Sequence, residues 1–288
     1  MKRILLSIMI VMSSLAMLSQ SSIVSFMQSP DAKTSSTPYG NNTAVGKYVK
    51  ADDANIYYEV YGEGQPIVVL HGGGVGCTYE MNQFIDSLRV DHKVIAISTR
   101  GHGRSEIGSK PVTYEQKAND VKAVIDAVTK EPVEVLGFSD GAYSAYKLAE
   151  MYPDAVKKIV AIGAGEIIPG LRQILLNIDA MAQYDAKFIE QQKRIMPEPK
   201  RWQEYWDDYA GFYNRVTISK NIFNNIKCPV LLVVGELDQN APLATVLAAY
   251  QQIPNAQLAV IANAPHQAFM VNFDAVWANV KPFLNSRQ

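Results

Sequence analysis

From Lys47 onward, short apolar runs alternate with amphipathic stretches of helical period, separated by Gly, Pro, Asn and Ser turns. Lys47 to Ala51 and Asn55 to Tyr61 read as two hairpin strands, closed by Gly62-Glu-Gly64. Pro66-Ile-Val-Val-Leu70 and Lys93 to Ile97 are strands with little or no polar alternation, the pattern of burial on both faces. Between them Met81, Phe84, Ile85 and Leu88 recur at helical spacing and predict a helix over Thr78 to Val90. Thr113 with Gln116 forms a capping box for a second helix, whose apolar face is Tyr114, Ala118, Val121, Ile125 and Val128. A strand over 133–136, a helix from about Ser139 to Met151 and a strand from Ile159 to Ile162 continue the alternation. Strands that are apolar throughout and separated by helices imply a mainly parallel sheet with helices on both faces, an α/β architecture.

The strand pattern stops between about residues 167 and 226. Leu171 to Tyr184, Lys187 to Arg194 and Arg201 to Asn214 are helical stretches and predict a cap inserted above the sheet. In the last of them Trp202, Tyr205, Trp206, Tyr209, Phe212 and Tyr213 share a face that Asp207 and Asp208 avoid. Such a stripe is first a packing surface, and Trp206 is its candidate for contacting substrate. Strand sequence returns at Pro229-Val-Leu-Leu-Val-Val234 and at Gln257 to Ile261, with a helix between them and another at the C-terminal end.

The N-terminal part follows a different pattern. Lys2 and Arg3 precede an apolar run from Ile4 to Leu18 and then small, polar residues to Ser22, the layout of a signal peptide over residues 1–22. The expected location is therefore periplasmic or secreted. The run is shorter than the ~20 apolar residues of a spanning helix, so no stable membrane anchor is expected after cleavage. Residues 23–46, rich in Ser, Thr, Pro, Asn and Gly, read as a flexible leader, and residues 47–288 as the folded domain.

The chain has 288 residues, 48% hydrophobic and 19% charged, enough to bury one large core. A net charge of -1 without a basic stretch argues against a nucleic-acid partner. Cys77 and Cys228 are too few and too far apart for a disulfide framework, and no cluster of His and Cys suggests a metal; neither metal nor cofactor is expected. Oligomeric state leaves no signature.

Chemistry concentrates at Gly137-Phe-Ser139-Asp-Gly141, a G-x-S-x-G turn between a strand and a helix. Small residues two positions either side let strand and helix approach, and the turn exposes Ser139 at a helix N-terminus. The Asp140 backbone N–H then faces a developing oxyanion, and Gly73 in His71-Gly-Gly-Gly74 is the candidate second donor. With a nucleophile on such a turn, the acid and then the histidine follow in the chain. Of His71, His92, His102 and His266, only His266 follows Ser139. Glu166, Glu236 and Asp238 end strands in the interval; Asp238 is the preferred acid, because Gly235 starts the turn, with Glu166 in reserve. Arg100 and Arg104 read as loop ties, and Cys77 and Cys228 as packing residues.

Taken together, His71-Gly-Gly-Gly, Arg100-Gly-His-Gly-Arg-Ser105, Gly-Phe-Ser139-Asp-Gly, Gly-Glu-Leu-Asp238 and Pro-His266 resemble the α/β-hydrolase superfamily over nearly the whole domain. Gly-Phe-Ser-Asp-Gly is similar to the Gly-Trp-Ser-Asp-Gly-Gly of the valacyclovir hydrolase, or biphenyl-hydrolase-like, group. Phe138, Ala142 and Ser98 depart from that pattern. The resemblance implies a serine hydrolase of small-molecule esters or amides, with Ser139, Asp238 and His266 catalytic. It also implies that the Asp140 carboxylate receives the ammonium of an α-amino-acid ester; the alternative is a side chain turned outward that favours the helix N-terminus. An aminopeptidase, a C–C hydrolase or perhydrolase, and a hydrolase-like binding protein with little turnover are the other readings.

Overall fold

The computed structural model describes residues 23–171 and 173–286. Eight strands form one sheet: β1 (Lys47–Ala51), β2 (Ala54–Tyr61), β3 (Gln65–Leu70), β4 (His92–Ile97), β5 (Val133–Phe138), β6 (Val156–Ile162), β7 (Val230–Gly235) and β8 (Ala256–Ile261). Their order is β1-β2-β4-β3-β5-β6-β7-β8. Strand β2 runs antiparallel to both β1 and β4, and every other neighbouring pair is parallel. The central strand β5 is buried at all six positions, whereas the edge strand β1 is largely exposed and β8 keeps exposed positions. This explains why the central strands read as unbroken apolar runs.

The helices are α1 (Asn82–Leu88), α2 (Tyr114–Val128), α3 (Asp140–Met151), α4 (Ile178–Tyr184), α5 (Ala186–Ile195), α6 (Trp202–Tyr213), α7 (Lys220–Phe223), α8 (Leu243–Gln252), α9 (Ala268–Val271) and α10 (Phe273–Asn285). Only half of the capping box forms: Thr113 Oγ1 accepts from the Gln116 N–H at 3.0 Å, while Gln116 Nε2 donates to Asp120 Oδ1 instead of Gln116 reaching back to the Thr113 N–H. The helix expected over Thr78 to Val90 is shorter, because its first turn tightens to a 3₁₀ turn at Thr78–Met81 and α1 ends at Leu88. That tight turn places Glu80 beneath the loop after β3, where its carboxylate accepts from the Gly72 N–H.

Helices α4 to α7 lie between β6 and β7 in the chain and form the cap. A bridge between Ile167 and Ile218, with N–H to O distances of 2.9 Å in both directions, ties the two ends of the insertion together.

The flexible-leader expectation for residues 23–46 is corrected. Ile23 and Tyr39 are buried, and Phe26 packs edge-on to Phe188 of α5 at 5.5 Å. The Val24 N–H reaches Gln191 Oε1 at 3.0 Å, and the Gly40 and Asn42 N–H groups reach the Glu59 carboxylate at 2.9 and 2.8 Å. The segment is a strap from cap to sheet. Its polar composition concealed this, because a few apolar anchors and body side chains that satisfy its backbone suffice to hold it. The signal-peptide expectation for residues 1–22 lies outside the described residues. No described helix is long and apolar enough to cross a membrane.

In the sheet the chain leaves β3 toward β4 on one side and later adds β5 on the other. Loops leaving the carboxyl ends of β3 and β5 therefore diverge and open a crevice between them, the usual ligand position of an open α/β sheet.

Candidate active site

The crevice holds the turn between β5 and α3. Ser139 sits at φ 50° and ψ -116°, a backbone conformation that costs about 1–3 kcal/mol for a residue other than glycine. Neighbouring structure holds it there: its N–H donates to Ile162 O of β6 at 2.8 Å, and its carbonyl accepts from Ala142 and Tyr143. A Cβ on Gly137 would lie 2.7 Å from the Ala142 nitrogen, and one on Gly141 2.6 Å from the His71 carbonyl oxygen. Any side chain at either position would lift α3 off the sheet and lower the serine.

Two further loops converge on Ser139. His266, from the loop between β8 and α9, places Nε2 3.0 Å from Ser139 Oγ and Nδ1 2.8 Å from Asp238 Oδ2. Asp238 follows β7, and its other oxygen accepts from the Asn240 and Ala241 N–H groups at 2.8 and 2.7 Å. A carboxylate only accepts, so the imidazole proton sits on Nδ1 and the Nε2 lone pair faces the serine hydroxyl. Glu166 and Glu236 do not join this line. Glu166 accepts from Ser219 Oγ and Gln252 Nε2, and Glu236 accepts from the Asn263 N–H.

The loop after β3 is set by a second histidine. His71 Nδ1 donates to Gly72 O at 2.6 Å, while Nε2 accepts the Thr99 N–H at 3.0 Å. Burial, reinforced by His102 alongside, lowers the His71 pKa to about 3, so the ring stays neutral and keeps this tautomer. Gly73 then passes under the cap: a Cβ there would lie 2.3 Å from the Tyr209 hydroxyl. Among the described residues no acceptor takes the N–H of Gly73 or of Asp140.

Two substrate-binding expectations are corrected. Asp140 is 1% exposed, and its carboxylate is paired with Lys117 Nζ of α2 at 2.5 Å and accepts from the Tyr209 hydroxyl at 3.2 Å. Burial, the largest single influence, opposes its charge, but Lys117 together with His102 and Tyr114 holds the carboxyl below its ordinary range. The charge is spent inside the protein, so it offers no free anchor for a substrate ammonium. Trp206 is wholly buried against Trp202, with ring centroids 4.8 Å apart, and does not line the cavity; Tyr209 and Tyr213 on the same helix do. The stripe was legible in the sequence, but which of its residues faces the crevice depends on how α6 is rotated in the cap. Lys117 was missed, although it falls within the apolar stripe of α2, three residues after Tyr114 and four before Val121.

Lys117→Met would strand the Asp140 carboxylate in the interior. The expected loss of stability is about 3–5 kcal/mol, read as a lower urea midpoint. Adding Asp140→Asn should recover much of it, and a double variant no more stable than Lys117→Met would rule out the pair as the cause.

A cavity of 330 Å³ opens over Ser139 and His266, walled by Gly73, Phe138, Leu176 and Tyr209. Glu80 also lines it, and sequence reading gave no signal for this residue. Burial pushes the Glu80 pKa up to about 8, so the folded protein keeps a proton that the unfolded chain releases near its ordinary value of about 4.3. This contribution to stability is complete below about pH 4.5 and is lost as pH rises to about 8. Thermal unfolding of Glu80→Gln should therefore decline less between pH 5 and pH 8 than that of the wild type. Equal declines would place the titrating group elsewhere.

Arg100 ties its loop with paired bonds to Asp120 and one to Asp53, each at 2.8 Å. Cys77 and Cys228 are free, and burial raises both thiols above their ordinary range. Among the described residues no group of three or more His, Cys, Asp or Glu is placed to hold a metal ion.

A family model described as "alpha/beta hydrolase fold" matches residues 65–196, the stretch that carries the β3 loop, the Ser139 turn and part of the cap. The chain has the α/β-hydrolase fold. The AB hydrolase superfamily protein YisY of Bacillus subtilis is 25% identical over 84% of this chain and all of YisY. A 2-hydroxy-6-oxononadienedioate/2-hydroxy-6-oxononatrienedioate hydrolase of Paraburkholderia phymatum is 26% identical over 78% of this chain and 90% of its own. Among solved structures, the esterase RhEst1 of Rhodococcus sp. superposes with a TM-score of 0.66 at 22% identity, over 84% of this chain and 99% of that one.

Proposed function

We propose that this protein is a serine hydrolase of small carboxylic esters that works through an acyl-enzyme. The observation that carries the reading is the line of hydrogen bonds from Asp238 through His266 to Ser139 at the base of the cavity. Ser139 Oγ attacks the ester carbonyl carbon as its proton passes to His266 Nε2. The oxyanion that forms is held by the Gly73 and Asp140 N–H groups, which no described residue engages. The imidazolium, stabilised by Asp238, returns the proton to the departing alkoxide, and the alcohol leaves. Water then gives a proton to His266 and attacks the acyl carbon; collapse frees the acid and restores Ser139.

A cavity of 330 Å³ lies at the small end of ligand sites and suits compact substrates. Pairing of Asp140 with Lys117 removes the anchor on which the amino-ester and aminopeptidase readings depend. Carbon–carbon hydrolysis is the second reading, favoured by the name of the Paraburkholderia relative. Turnover of a panel of 4-nitrophenyl esters against a vinylogous 1,5-diketone, each with wild type and Ser139→Ala, separates the two. Serine-dependent cleavage of the diketone alone would overturn the ester reading, and no turnover of any substrate would favour a binding protein. Export rests on the pattern of residues 1–22 and is tested by fractionating cells that express the full chain.

A further inference from the structure

Most other buried carboxyl groups among the described residues are well supplied with partners; the exception is Glu134, whose Oε2 has no hydrogen bond but lies 3.5 Å from His92 Nε2. Asp140 has Lys117, Asp120 has Arg100, Glu59 accepts four hydrogen bonds, and Asp238 has two N–H groups and His266. Glu80 is 9% exposed and has one hydrogen bond among the described residues, from the Gly72 N–H to Oε1 at 2.6 Å. No described cation pairs with it. Apart from His266 it is the only acidic or basic side chain among the described residues that line the cavity. A buried carboxyl without a counter-ion neutralises itself by keeping its proton. Because Oε1 accepts from Gly72, the proton belongs on Oε2, the oxygen left for the cavity. A carboxylic acid kept neutral by its surroundings is an effective hydrogen-bond donor inside an active site.

The position of this donor identifies what it meets. A Cβ built on Gly72 would lie 3.2 Å from Glu80 Oε1 and 3.1 Å from the Phe138 ring. Gly72 and Phe138 immediately precede Gly73 and Ser139, so the acid lies one residue from each of the groups that would hold the reacting carbonyl. Resting on the ester-hydrolase reading above, we propose that Glu80 donates a hydrogen bond from Oε2 to a substrate oxygen close to the scissile carbonyl, selecting esters of 2-oxygenated acids such as 2-alkoxy or 2-hydroxy acids. The groups facing it that also titrate are Cys77 on its own turn, Tyr209 and Tyr213 from α6, and His266. Burial raises the Cys77 thiol, so it keeps its proton at neutral pH.

The test compares two 4-nitrophenyl esters of matching shape, methoxyacetate and butanoate, which differ in one ether oxygen that only accepts. The readout is the ratio of their kcat/KM values, corrected by the ratio of their uncatalysed hydrolysis rates. Glu80→Met removes the donor and should lower the ratio about tenfold, the worth of one hydrogen bond of about 1.4 kcal/mol. Glu80→Gln still accepts from Gly72 through Oε1 and donates through Nε2, so it should keep the ratio to within about threefold. The wild-type ratio should fall above about pH 8, as Glu80 ionises, while that of Glu80→Gln stays level; this arm stands alone if Glu80→Met does not fold. An equal ratio in all three proteins overturns the proposal, as does a loss in Glu80→Gln matching that in Glu80→Met. If butanoate is not cleaved, or is cleaved equally well by Ser139→Ala, the ester-hydrolase reading fails instead.

Discussion

Replacement of Ser139 by alanine is expected to lower kcat for ester hydrolysis by about 10⁶-fold, to the level that binding and oxyanion stabilisation sustain alone. The reason lies in how the parts connect. In the proposed mechanism Ser139 Oγ is both the nucleophile and the source of the proton that His266 Nε2, 3.0 Å away, receives. Without it the imidazole has no productive partner, and the attacking atom is gone. The groups act as one unit, so Ser139→Ala/His266→Ala should be no slower than Ser139→Ala. Removing the hydroxyl also leaves Gly137 and Gly141 in place, so unfolding by heat should change little. Steady-state turnover and a burst of 4-nitrophenol in the wild type, absent from the variant, measure the effect. A folded Ser139→Ala protein with ordinary turnover would sink the mechanism.

For Asp238→Asn the expected loss is about 10⁴-fold in kcat, and here the loop should stay intact. The Asn oxygen still accepts from the Asn240 and Ala241 N–H groups, which fixes the direction of the amide. Its NH₂ then points at His266 Nδ1, which must accept rather than donate. The proton moves to Nε2, and the histidine faces Ser139 with a donor where a base is needed. KM should change far less than kcat, because the substrate does not touch Asp238 in this arrangement. Glu166→Gln, at a carboxylate engaged by Ser219 and Gln252, serves as the control and should leave turnover near that of wild type. A large loss there and none in Asp238→Asn would reassign the acid.

What the sequence by itself determined is what local rules govern. Strand and helix order follows from periodicity, because burial on both faces of β5 demands an unbroken apolar run and burial of one face of α2 demands a stripe. The Ser139 turn is legible because only glycine tolerates the contacts at positions 137 and 141. His266 was reachable because chain order left a single candidate. Tertiary structure alone decided the rest. Asp140 changes from a prospective anchor to half of an internal ion pair because Lys117, 23 residues earlier, is turned toward it. Trp206 gives way to Tyr209 because a helix face shared by six aromatic residues does not say which of them meets the crevice. Residues 23–46 dock although their composition is polar, because their partners, Glu59, Asp86 and Gln191, lie far along the chain. Burial in the folded protein raises the Glu80 pKa. Charge state and exposure depend on what surrounds a group in space, and spacing along the chain does not encode that when the neighbours come from different elements.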